Sequence, residues 1–114
     1  MELIHTCYRI TDIERSVAFY EALGFEERGR MPIRQEAINV FMGLPGDGDR
    51  LELTYNFGVD SYELGTGYGH IAVTVDDLDT TLGRIDTCCA IDQARTGWGR
   101  RRADLRRSRR TVSA

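Results

Sequence analysis

The chain of 114 residues contains no lysine, and all fifteen of its basic residues are arginine. That reads as the codon usage of a GC-rich genome rather than a physical demand, since either cation keeps a surface soluble. Three cysteines, Cys7, Cys88 and Cys89, have neither metal-ligand nor redox spacing. An odd count without a visible leader fits a reduced, cytoplasmic protein. No apolar run approaches the ~20 residues of a membrane helix. The N-terminus opens on alternation instead of a basic and apolar leader, so neither a membrane segment nor a signal peptide is expected. What remains is one small domain with a modest core, 41% hydrophobic and 29% charged, the balance of an ordinary soluble globular protein.

The net charge of −3 conceals two unlike parts. Residues 1–83 hold six Arg against fifteen acids, whereas residues 84–114 hold nine Arg against three acids. A basic arm can neutralise phosphates. Here no aromatic interleaving or recognition motif accompanies the arginines, so nucleic acid is not expected as a partner. The segment 86–114 also lacks period-2 alternation, and its apolar residues are few: Ile91, Trp98, Leu105 and Val112. It is expected to be disordered or non-native, such as an out-of-frame translation, with the break after about Ile85.

The first part is well patterned. Glu2–Arg9 alternates as a strand with two usable faces. Thr11 and Asp12 can cap a helix whose apolar stripe is Ile13, Val17 and Tyr20, widened by Phe19 and Leu23. Gly24 stands where a helix end wants a residue at positive φ. Phe25–Met31, Ala37–Met42 and Leu51–Tyr55 read as strands, with a turn over Gly43–Asp49. The order is β-α-β-β-β.

The pattern then begins again, at an offset of 65 residues. His5 falls on His70, Ile10 on Val75, Asp12 on Asp77, Ile13 on Leu78, Val17 on Leu82 and Tyr20 on Ile85. His70–Val75 is expected to be the strand that matches the first. The same offset carries Glu52 to position 117, past Ala114, so the second copy is expected to be incomplete.

Glu52 is the residue that asks for an explanation. Acidic residues are depleted in strands and rarely buried unless paired or bound to a cation. This one sits between Leu51 and Leu53. His5 and His70, each on a repeat-related strand, would complete a set of two imidazoles and one carboxylate, which suits Ni, Co, Zn or Fe. Three protein ligands leave positions open for water or a chelating substrate. Taken singly, each residue has a plainer reading: a core or surface histidine, or a carboxylate paired with an arginine.

The stretches HTCYRITDIERSVAFYEALGF and LELTYNFGVDSYELGTGYGHIAV, and the order between them, resemble glyoxalase I (lactoylglutathione lyase) of the vicinal oxygen chelate superfamily. The resemblance covers about residues 1–85. It implies an α+β fold of paired β-α-β-β-β modules, the first at about 1–57 and the start of the second at about 67–85. Position by position it implies metal ligands at His5, Glu52 and His70. It also implies an arginine for the glutathione carboxylate at Arg9 and an asparagine for the glutathione moiety at Asn56. The family's fourth ligand, a late glutamate that is also the catalytic base, has no match here. The short first module is similar to the bacterial form. That likeness implies Ni as the metal, with Co or Zn as alternatives, and a homodimer with the site at the subunit interface: His5 and Glu52 from one subunit, His70 from the other.

The activity implied is metal-dependent isomerisation of the methylglyoxal-glutathione hemithioacetal to S-lactoylglutathione, which detoxifies methylglyoxal. With the late glutamate unmatched, Glu52 is the carboxylate left to move protons. A weak or inactive form is then expected, because losing a positioned base typically costs ~10²–10⁴ in rate. Two other readings stay open: a non-catalytic module that binds metal or a small ligand, and an iron dioxygenase of the same superfamily. The match through Tyr55 and Asn56 speaks against the last.

Overall fold

The computed structural model describes residues 1–96 and 111–113. The chain divides into two compact units, Met1–Tyr62 and Glu63–Ala114.

The first unit carries β1 (Thr6–Ile10), α1 (Ile13–Ala22), β2 (Glu26–Ile33), β3 (Ala37–Gly43) and β4 (Leu51–Asn56). These are the expected elements in the expected order. Strand β1 starts four residues later than its alternation suggested. Among the described residues its strand neighbour is β4, and the ladder between them opens at Thr6, whose N–H donates to the Arg50 carbonyl at 3.0 Å. Among the described residues, none pairs as a strand with those before Thr6.

Asp12, not Thr11, caps α1, its Oδ1 accepting from the Arg15 N–H at 2.9 Å. The helix ends in a pair of back-turning bonds, Gly24 N–H to the Glu21 carbonyl and Phe25 N–H to the Tyr20 carbonyl. Gly24 supports them at a φ of 98°, a conformation open to glycine at little cost.

The four strands form one sheet in the order β1-β4-β3-β2, with β1 parallel to β4 and the other pairs antiparallel. A register shift between Glu27 and Gly29 bends β2 against β3. The turn between β3 and β4 is tight at its base: a Cβ on Gly43 would lie 2.5 Å from the Gly48 carbonyl oxygen. Period-2 alternation then sorts the side chains. Val40 and Met42 of β3 and Leu51 and Leu53 of β4 are fully buried and form the core with Val17, Leu23 and Phe25. The ion pair from Arg30 to Glu14 of α1, at 2.8 Å, marks this as the helix-covered face. Burying a large aliphatic side chain contributes about 1.5–3 kcal/mol, so these four positions fix which face turns inward.

The second unit contains β5 (Ala72–Thr74), α2 (Leu78–Thr96) and β6 (Thr111–Ser113), with β5 and β6 antiparallel. The strand expected over His70–Val75 is shorter, running over Ala72–Thr74 and paired with Thr111–Ser113. Asp77 caps α2 through the Thr80 N–H at 2.6 Å. Donor and acceptor each lie 65 positions beyond Asp12 and Arg15, the offset of the sequence repeat. Residues 97–110 and 114, where most arginines of the expected 86–114 tail fall, lie outside the described residues. Among the described residues no helix is long and apolar enough to cross a membrane.

Candidate metal site on the open sheet face

The alternation that buries Leu51 and Leu53 turns Glu52, Thr54 and Asn56 to the opposite face of β4. Cross-strand neighbours share a face, so Cys7 and Arg9 of β1 join them, paired with Glu52 and Thr54. Phe41 and Asn39 of β3 sit opposite the same two residues. Three of the five sequence-predicted site residues, Arg9, Glu52 and Asn56, thus belong to one face of one sheet, and a fourth, His5, reaches Glu52 from just before β1. His70, the fifth, belongs to the second unit and is exposed.

His5 directly precedes β1 and is carried to Glu52 by local anchoring. Arg50, one residue before β4, donates to the Leu3 carbonyl and is itself held by Asp47 at 2.9 Å. The Phe41 ring meets the imidazole edge-on, centroids 5.9 Å apart. His5 Nε2 then lies 2.8 Å from Glu52 Oε2. Two lone pairs would repel at that separation, so Nε2 carries a proton and donates it. The Glu52 side chain is 13% exposed and that of His5 36%, leaving the pair reachable from solvent.

The other carboxylate oxygen is held from behind. Asn39 Nδ2 donates to Glu52 Oε1 at 2.8 Å, and Thr54 Oγ1 lies 3.2 Å from the same oxygen. Thr54 Oγ1 is also 3.0 Å from Asn39 Oδ1 and 3.2 Å from Cys7 Sγ. Further along the face, Asn56 Nδ2 donates to the Tyr62 hydroxyl at 3.0 Å, and Arg9 is exposed. Among the described residues no group of three His, Cys, Asp or Glu side chains is assembled for a metal. What is assembled is a pair.

The pair fits a divalent metal by its chemistry. An imidazole nitrogen and a carboxylate oxygen already converge on the space taken by one proton. The second carboxylate oxygen is tied by an amide, the kind of outer support that orients metal-binding carboxylates. A half-buried carboxylate with one oxygen aimed at an imidazole is a donor set for a first-row divalent ion.

The family model for the Glyoxalase/Bleomycin resistance protein/Dioxygenase superfamily matches residues 2–103. The chain belongs to this superfamily. A lactoylglutathione lyase of Escherichia coli O157:H7 is 43% identical over 90 residues, covering 75% of this chain and 66% of that protein. The lactoylglutathione lyase of Haemophilus influenzae is 42% identical over 87 residues, covering 71% and 63%. A chloroplastic probable lactoylglutathione lyase of Arabidopsis thaliana is 38% identical over 84 residues, covering 70% of this chain but 24% of its own length. Among solved structures, the trypanothione-dependent glyoxalase I of Leishmania major superposes with a TM-score of 0.68 at 34% identity, covering 76% of this chain and 66% of that one. The chain therefore spans from about a quarter to about two thirds of the relatives it matches. Its β-α-β-β-β unit is a glyoxalase-type module in an α+β fold.

Asn39 and Thr54 were not among the residues picked out from the sequence. Thr54 was within reach, being two positions along the strand from Glu52. Asn39 was not: only the β3–β4 register sets it beside that carboxylate.

Proposed function

We propose that the chain is a glyoxalase I-type module whose His5 and Glu52 supply half of a metal site for lactoylglutathione lyase chemistry. One observation carries this: the 2.8 Å His5–Glu52 pair on the open face of a sheet whose other face is closed by α1 and an aliphatic core. The substrate class is the methylglyoxal-glutathione hemithioacetal, isomerised to S-lactoylglutathione. His70 completes the ligand set from a second subunit, which makes the working form a homodimer with shared sites. Ni is the favoured ion and Co or Zn the alternatives; when bound, it supplies Lewis acidity toward the substrate oxygens.

The chain's own residues then divide the remaining work. Arg9, exposed on the same face, grips a glutathione carboxylate through its planar fork. The Asn56 amide, positioned by the Tyr62 hydroxyl, adds hydrogen bonds to the peptide portion of the thiol. Glu52 is the carboxylate this chain brings to the site to move the substrate proton.

The test is ultraviolet detection of S-lactoylglutathione by protein reconstituted separately with Ni and Zn, beside His5→Ala and Glu52→Ala. Metal-dependent turnover lost in both variants supports the lyase. Folded protein that binds Ni without turnover reduces the reading to a metal-binding module of the same superfamily.

A further inference from the structure

The hydrogen bonds behind Glu52 run in one direction only. Asn39 cannot be flipped: the alternative would set Oδ1 against Glu52 Oε1 at 2.8 Å, acceptor facing acceptor. Its Nδ2 therefore faces the carboxylate and its Oδ1 faces Thr54, 3.0 Å away. Thr54 has a single hydroxyl proton. Given to Oδ1, it satisfies that acceptor, while Glu52 Oε1 keeps the Asn39 donor. Given to Glu52 at 3.2 Å, it would leave two oxygens facing each other at 3.0 Å with no hydrogen between them. Cys7, 3.2 Å from Thr54 Oγ1, then donates its thiol proton to the hydroxyl. The chain of donation is Cys7 to Thr54 to Asn39 to Glu52.

From this we infer that Asn39 is a positioning residue for the metal site, its amide locked by Thr54, and that it makes Glu52 a one-oxygen ligand through Oε2. With Oε1 engaged by the Asn39 amide, Oε2 is left to face His5 and any cation that replaces the shared proton. The arrangement suits a first-row divalent ion that takes imidazole nitrogen and one carboxylate oxygen. This rests on the reading of His5 and Glu52 as metal ligands given above.

Chelator-competition titrations of the full chain with Ni alone and Zn alone test it, using wild type, Asn39→Ala, Thr54→Val, Thr54→Ser and Glu52→Ala. Asn39→Ala is expected to weaken both ions about 10–100-fold, the usual effect of removing an outer-shell partner. Thr54→Val weakens them in the same direction, and Thr54→Ser, which keeps the hydroxyl, restores wild-type affinity. An Asn39→Ala affinity equal to wild type, or a Thr54→Ser as weak as Thr54→Val, overturns the positioning role while Glu52→Ala still upholds the metal pair. Wild-type protein that binds neither ion overturns both. Should Asn39→Ala fail to fold, the Thr54 pair decides the matter, because valine and serine each fit the strand.

Discussion

Replacing Glu52 by glutamine separates what this carboxylate does for the fold from what it does for a ligand. Glutamine has nearly the same shape, and its carbonyl can still accept from Asn39. The charge-assisted bond from Asn39 becomes a neutral one, and the bond with His5 becomes neutral and reverses, the glutamine amide donating to Nε2 of the other imidazole tautomer. At about 1.5–3 kcal/mol for a charged and 0.5–1.5 for a neutral bond, the loss is about 2–3 kcal/mol over both. Against it stands the desolvation of a carboxylate 13% exposed, a penalty of several kcal/mol that the amide does not incur. The two nearly cancel. Glu52→Gln without metal is expected to melt within about 8 °C of wild type, taking ~4–8 °C per kcal/mol for a domain of this size. The ligand response behaves differently. Ni at 100 times its dissociation constant stabilises wild type by ~2.7 kcal/mol, a rise of more than 10 °C, and should leave the variant unmoved. Circular-dichroism melts with and without Ni read both numbers. A metal-free variant that is largely unfolded would show the carboxylate to be a structural group. A variant that keeps the full Ni-induced rise would refute its role as a ligand.

Leu53 is fully buried between its strand neighbours Tyr8 and Val40, so Leu53→Ala should cost about 2–5 kcal/mol, measured by urea unfolding. Asp12→Ala removes the cap of α1 and should cost ~1 kcal/mol by the same measurement. Burial, with Tyr8 nearby, pushes the Tyr20 hydroxyl up to about 12. The folded state then holds that proton to higher pH than the unfolded chain, whose tyrosines titrate near 10. The stabilisation is complete below pH 10 and is lost as pH rises from 10 to 12. With no lysine titrating in that window, Tyr20→Phe should visibly flatten the alkaline limb of a stability-against-pH curve.

How much of this was legible beforehand follows from the range of the forces involved. Alternation, the capping aspartates at a spacing of 65 and Gly24 at its helix end are local, and each appeared where the sequence placed it. So did the alternation that opposes Glu52 to Leu51 and Leu53, which pointed to the site before any strand was paired. Strand ends were less readable: β1 begins only where its ladder with β4 begins, a matter of pairing and not of alternation.

What the sequence by itself determined was therefore the module, its inward face, the residues Arg9, Glu52 and Asn56 on the outward one, and His5 just before β1. The tertiary structure alone decided the pairing of β1 with β4 across two intervening strands, and the β3–β4 register that seats Asn39 behind Glu52. Cross-strand register depends on turn length and on which face is buried, both of them properties of the whole sheet. A carboxylate's partner 13 residues away is set by that register, and no pattern along a single strand contains it.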